Sequence, residues 1–202
     1  LNFLSENGNT VLKKNQLEIR DFINDQHLWA DSLLKGMSLE EKVGQLFMIE
    51  TYSNKSEKYY QSIQNKIRKY HLGGLIFFQG TAPVQARITN EYQAISKTPL
   101  FIGMDAEWGL GMRLKNTTSF PKQITLGAIA DNSLIEQMGK EIGWQMKRLG
   151  VHINFAPVAD INTNPENPVI NYRSFGESKE DVSQKVLAYA KGLKRAGVIA
   201  VA

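Results

Sequence analysis

Short apolar runs alternate with amphipathic stretches along most of this chain. The apolar runs are LFMI at 46–49, LGGLIFF at 72–78, PLFIGMD at 99–105, HINFAPVAD at 152–160 and VIAVA at 198–202. Each has the length of a strand, and none shows the strict alternation expected of a half-solvated strand. The stretches between them carry apolar residues at helical spacing. Tyr60, Ile63, Ile67 and Tyr70 mark a helix over 59–70, and Val84, Ile88, Tyr92 and Ile95 one over 83–96. Leu134, Ile135, Met138, Ile142, Met146 and Leu149 mark 133–149, and Val182, Val186, Leu187, Tyr189 and Leu193 mark 181–195. Three of these end alike, in YHLG, KRLG and KRAG. Basic side chains suit the negative end of a helix, and glycine suits the left-handed position just past it.

Strands separated by helices predict a parallel sheet covered by helices. An open doubly wound sheet and a (β/α)8 barrel compete. The glycine turn of a dinucleotide site is missing: Gly73-Gly74 lies within a strand, and Gly109-x-Gly111 leads into polar KNTTS rather than a helix. The barrel is favoured. It typically takes about 250 residues, and an open parallel sheet ending on VIAVA would leave a long apolar edge unpaired. The expectation is the N-terminal part, about five strands, of a (β/α)8 TIM barrel that is incomplete in this chain. Residues 1–36 read as a polar lead-in and a helix over 16–36, and 37–202 as the first part of the barrel domain. Ser38 and Glu41 have the spacing of a capping box, with Met37 as a staple residue before it.

Composition excludes several classes. The 202 residues contain no Cys, so there is no disulfide framework and no thiolate nucleophile or zinc site. At 42% hydrophobic and a net charge of +4, the chain is not generally disordered. The 24 basic residues are spread among 20 acids, which predicts solvated helix faces and no nucleic-acid partner. No apolar run is long enough to span a membrane, and no metal site is expected from three scattered histidines. His152 reads as a buried, hydrogen-bonded core residue. No GxSxG elbow is present.

In a barrel, chemistry gathers at the carboxyl ends of the strands. Asp105 follows PLFIGM with no packing reason to be there, and is the strongest single candidate. Glu107 stands two residues on, either as the second member of a glycosidase carboxylate pair or in structural work; the catalytic pair of such enzymes normally comes from different strand ends. Trp108 either stacks on a sugar face or closes the mouth. Arg113 and Arg173, in turn-rich segments near the same face, either bind ligand hydroxyls, hold Asp105, or form surface ion pairs. Asp160 opens the long polar loop INTNPENPVINYRSFGES, whose length marks it as functional.

These residues fall within recognisable motifs. MSLEEKVGQLFM (37–48), MDAEWGLGMR (104–113) with SFP (119–121), and NFAPVADINTNPENPVINYRSFG (154–176) resemble family 3 glycoside hydrolases. The resemblance spans roughly 20–202 and is nearest to the family's bacterial β-N-acetylglucosaminidases. Within those it resembles the large Bacteroidetes-type form, in which such a domain is joined to a β-lactamase-like domain. It implies a retaining exo-hydrolase of terminal β-N-acetylglucosaminides with no cofactor, a periplasmic or secreted location with a cytoplasmic one as alternative, and an amino-sugar glycoside as substrate. It also implies sugar-binding roles for Asp105, Arg113 and Arg173, a structural role for Asp160, and Glu107 and Trp108 as supporting residues. The family's first loop commonly reads D-Q-E-G-G. Here Ala106 and Trp108 depart from it, which puts specificity at the mouth in doubt. The family's Lys-His pair, general acid and nucleophilic aspartate would fall beyond Ala202. The expectation is therefore that these residues supply sugar binding, need the remainder of the barrel as partner, and are inactive alone. The alternatives are a β-glucosidase or β-xylosidase of the same family, or a non-catalytic carbohydrate-binding domain.

Overall fold

The computed structural model describes residues 29–164 and 166–202. The chain divides into two units, Leu1–Val43 and Gly44–Ala202. In the first unit the described residues are helical at 29–35 (α1). The rest of the helix expected over 16–36 lies outside the described residues. The Ser38 capping box is formed in full: Ser38 N–H donates to Glu41 Oε2 at 2.9 Å, and Glu41 N–H to Ser38 Oγ at 3.2 Å. It opens α2, Leu39–Gly44.

The second unit carries β1 (Met48–Thr51), α3 (Glu57–Tyr70), β2 (Gly74–Phe77), β3 (Gly80–Thr81), α4 (Ala82–Ile95) and β4 (Phe101–Met104). After these come β5 (Leu114–Lys115), α5 (Gln123–Gly127), α6 (Asn132–Arg148), β6 (Ile153–Asn154), α7 (Lys179–Arg195) and β7 (Ile199–Ala200). The main sheet has the order β1-β2-β4-β6-β7, every pair parallel. Each new strand is added beside the last, with no reversal. A doubly wound sheet reverses at a switch point, whereas a barrel adds strands in one direction. The fold is therefore a fragment of a TIM-type α/β barrel, and the described residues do not close it.

Register sorts the side chains into two faces. Leu75, Phe77, Ile102 and Met104 lie on the helix side and are fully buried. The other face carries Glu50, Ile76, Gly103, Ile153 and Ile199 in one hydrogen-bonded row. Here Phe101 is 53% and Ile199 52% exposed. The expected cover of helices lies on one face of the sheet among the described residues. The apolar inner face explains the missing alternation: its residues belong to a barrel interior rather than to solvent.

Several boundaries differ from the sequence reading. The first strand begins two residues late and leaves Leu46 and Phe47 exposed. The fourth main strand is only Ile153–Asn154, because the chain beyond Phe155 reaches Pro157, which has no N–H to give a ladder. Gly150 and Gly197 hold the left-handed position past α6 and α7, with φ of 72° and 77°. After α3 that position falls on His71, φ 51°, and not on the glycine two residues later. His152 is hydrogen-bonded as expected, its Nδ1 accepting Ile102 N–H at 3.0 Å, but the residue is exposed rather than buried. The imidazole packs edge-on to Phe101 at 6.0 Å.

Candidate functional site

Asp105 leaves the end of β4 at the carboxyl face, and the loop behind it is held from three sides. Ala106, fully buried, gives its N–H to Asn154 Oδ1 at 2.9 Å. The buried Tyr189 hydroxyl reaches up from α7 and donates to the carbonyl of Ala106 at 3.0 Å, with Glu107 O also within 3.1 Å. Burial pushes the Tyr189 hydroxyl pKa well up, so it remains a donor across the working range. Gly109 then turns the chain at φ 88°, where a Cβ would lie 2.8 Å from the Phe120 ring. The turn lets 108–111 run beside 118–120, with Phe120 N–H on Trp108 O at 2.8 Å and Gly111 N–H on Thr118 O at 2.9 Å.

Two arginines close on this loop. Arg113 Nη2 meets Asp105 Oδ2 at 2.5 Å, and its Nε donates to the Asp105 carbonyl at 3.2 Å. The guanidinium lies 4.7 Å from the Phe78 ring. Its backbone is set by a two-stranded parallel ribbon, β3 with β5, next to which Gly80 N–H donates to Arg113 O at 3.2 Å. No periodicity in the sequence marks either segment as a strand. Arg173, on a 3-10 turn over Asn171–Arg173, grips Glu107 with Nε and Nη2 at 2.8–3.1 Å. Glu107 is 2% exposed and Arg173 31%. The hydrogen bonds to Glu107 raise the Arg173 pKa, leaving it firmly cationic.

The six candidate residues thus fall into distinct positions. Asp105 with Arg113, and Glu107 with Arg173, form two separate ion pairs; Arg173 holds Glu107, not Asp105. Glu107 is buried under its arginine, which favours the structural alternative over membership of a catalytic pair. Trp108 is half-buried, edge-on to Tyr172 at 6.5 Å. The Asp160 carboxylate is exposed beside a shallow groove shared with Phe155, Pro157 and Val201. The brace at this point runs through the backbone: Ser174 Oγ donates to Asp160 O at 2.6 Å, and Asn162 N–H to Gly176 O at 2.9 Å.

Sequence reasoning missed four supporting residues. Asn154 and Tyr189 hold the Asp105 loop. Buried Gln123 clamps Val158, accepting its N–H at 3.1 Å and donating to its carbonyl at 3.0 Å. Lys122 sets its ammonium over the Trp108 ring, 2.8 Å from the centroid, and 5.2 Å from that of Tyr172. Tyr189 read as part of a helix stripe and Asn154 as part of a strand. Only a polar residue on a buried face marks them out, and the face is not known until the sheet is built.

The description "Glycosyl hydrolase family 3 N terminal domain" fits residues 38–202. Beta-hexosaminidase A of Pseudoalteromonas piscicida is 37% identical over 147 residues, covering 66% of this chain and 24% of that protein. A glycoside hydrolase family 3 β-N-acetylglucosaminidase from Paenibacillus superposes with TM-score 0.74 at 35% identity, covering 82% of this chain and 32% of its own. The β-glucoside phosphorylase BglX bound to 2FGlc superposes with TM-score 0.80 at 26% identity, over 87% of this chain and 31% of its own. The chain therefore spans about a quarter to a third of the length of these relatives. Strand order, the arginine-held loop after β4 and these likenesses lead to one conclusion: the chain belongs to glycosyl hydrolase family 3, within its N-terminal domain.

Proposed function

We propose that these residues form the sugar-holding part of a retaining exo-glycosidase that removes terminal β-linked N-acetylglucosamine. The carrying observation is the Asp105–Arg113 pair at the carboxyl end of β4. A carboxylate accepts bonds from vicinal hydroxyls, and a guanidinium locked to it fixes its orientation while keeping other N–H groups to donate. Relatives named as β-hexosaminidase and β-N-acetylglucosaminidase support the amino sugar. The two carboxylates of this loop are each already engaged by an arginine, so the reading assigns them binding and support. The nucleophile and general acid are assigned to other residues of the intact gene product, and the 202 residues alone are expected to be inactive. A periplasmic or secreted enzyme acting on cell-wall amino sugars fits this reading.

A second reading keeps the same site in a β-glucoside-processing enzyme, favoured by the superposition on a phosphorylase. One assay separates them. The intact gene product is given chromogenic β-N-acetylglucosaminide and β-glucoside, with and without phosphate. Faster release from the first, with free sugar as product, supports the proposal. Preference for the glucoside, or a sugar phosphate as product, moves the assignment to the second reading. Asp105→Ala should lower kcat/KM about 100-fold or more, since hydrogen bonds to a charged group are each worth roughly 1.5–3 kcal/mol. An unchanged kcat/KM would remove Asp105 from the site.

A further inference from the structure

The charges around the β4 loop do not cancel completely. Asp105 is taken by Arg113, and Glu107 by Arg173. Lys122 is left over. Its ammonium rests on the Trp108 ring with Tyr172 beyond, and among the described residues no carboxylate lies within ion-pair distance of it. Aromatic faces stabilise a cation by about 0.5–2 kcal/mol but accept no conventional hydrogen bond. Its three N–H donors therefore keep capacity for an anion on the side away from the rings.

The position is built rather than incidental. The Lys122 carbonyl accepts Thr125 N–H at 3.0 Å and Leu126 N–H at 3.1 Å, which ties its backbone to the start of α5. The bond from Phe120 N–H to Trp108 O brings this strand of the turn against the loop that carries Asp105. Burial lowers the Lys122 pKa, with Glu107 opposing it from nearby. The cation is thus partly desolvated, with no carboxylate among the described residues in direct contact. Buried Lys185 differs, its ammonium donating to Ile129 O at 2.6 Å and to Asn132 Oδ1 at 3.1 Å. Trp108 lies three residues beyond Asp105, and Tyr172 adjoins Arg173. Tyr172 is 46% exposed, so the cluster opens at the rim of the carboxyl face. An exo-enzyme that holds the terminal sugar at Asp105 presents the leaving group toward that rim.

We propose that Lys122, seated against Trp108 and Tyr172, is a specificity determinant that selects aglycones carrying a carboxylate. This rests on the exo-glycosidase reading above for its orientation. The cation meets the carboxylate with charge-assisted hydrogen bonds, and the flanking rings cover the apolar part of the aglycone.

The test uses two aryl β-N-acetylglucosaminides that differ only in a ring carboxylate or its methyl ester. Each is read as kcat/KM for release and as Kd for binding to the intact gene product. The carboxylate is expected to be favoured about tenfold at low salt, equivalent to roughly 1.4 kcal/mol, and the preference should shrink as salt screens it. In Lys122→Met the ratio should fall to about one, and Lys122→Arg should restore most of it. Lys66→Met, on the exposed face of α3, should leave the ratio unaltered. Equal kcat/KM and Kd for both ligands in the unaltered protein, or a ratio that survives Lys122→Met, overturns the proposal. So does a loss of preference in Lys122→Met accompanied by an equal loss in Lys66→Met, which would reflect net charge alone. A charge preference in Kd without any hydrolysis would refute the exo-glycosidase reading while leaving this site standing.

Discussion

Arg173 and Glu107 illustrate how burial decides what a single residue contributes. The glutamate is almost fully enclosed while its arginine is about one third exposed. Removing the arginine strands a buried carboxylate. Removing the glutamate's charge leaves a guanidinium that can turn to water. Arg173→Ala should therefore cost about 2–3 kcal/mol at neutral pH, toward the low side for a broken buried pair because of the exposure. Glu107→Gln should cost clearly less. Urea titration of both variants checks the order. A loss for Arg173→Ala no larger than that for Glu107→Gln would contradict the account. Asp105, Arg113 and Arg173 were legible as candidates because each interrupts an apolar or turn-rich segment with charge. Lys122 was not, since a lysine in a polar stretch looks like any solvated lysine until the turn at Gly109 lays it on Trp108.

At the scale of elements, local signals carried far. Helix periodicity located α3, α4, α6 and α7 to within about two residues at either end, and the capping box at Ser38 formed as its spacing requires. The β3–β5 ribbon, α5 and the short span of β6 were not legible, because they depend on what lies alongside. Helices α6 and α7 meet backbone to backbone: a Cβ on Gly192 would stand 2.2 Å from Glu136 O, and one on Gly139 2.5 Å from Tyr189 O. Gly192→Ala should force them apart and cost about 1–3 kcal/mol or more, read as a fall in Tm. Because α7 carries Tyr189, the Asp105 loop should loosen with it. The β4–β6 junction has a pH response. Although His152 is exposed as a whole residue, partial desolvation of its ring, then Lys147, lowers its pKa below the usual 6.5, so the unfolded chain binds this proton more readily than the folded one. The contribution is present above about pH 6.5 and is lost as pH falls from there toward the depressed folded-state value. His152→Gln should flatten that part of the stability–pH curve, and an unchanged slope would assign the response to other groups.

The whole molecule presents a sheet with one finished face. Helices bury Leu75, Phe77, Ile102 and Met104, while Ile76, Phe101, Ile153 and Ile199 line a face that the described residues leave partly open. Apolar area of this kind is uncommon on a free surface and is the interior of a closed barrel. The 202-residue chain should bind a hydrophobic dye, and Phe101→Ser with Ile199→Ser should roughly halve that signal. The pair should shift stability by less than about 1 kcal/mol, since neither side chain belongs to the helix-side core. The sequence by itself determined the alternation of strands and helices, the barrel rather than a nucleotide fold, the family motifs and the candidate charges. These are properties of spacing along the chain, and a spacing of two, three or four residues dictates which side chains share a face. Tertiary structure alone decided that Arg173 would hold Glu107 across 66 positions. It also decided that Tyr189 and Asn154 would steady the Asp105 loop, and that Lys122 would sit on Trp108 with no carboxylate in ion-pair distance among the described residues. Such contacts arise from the order and register in which strands are laid side by side, and no local pattern encodes which distant residue arrives opposite.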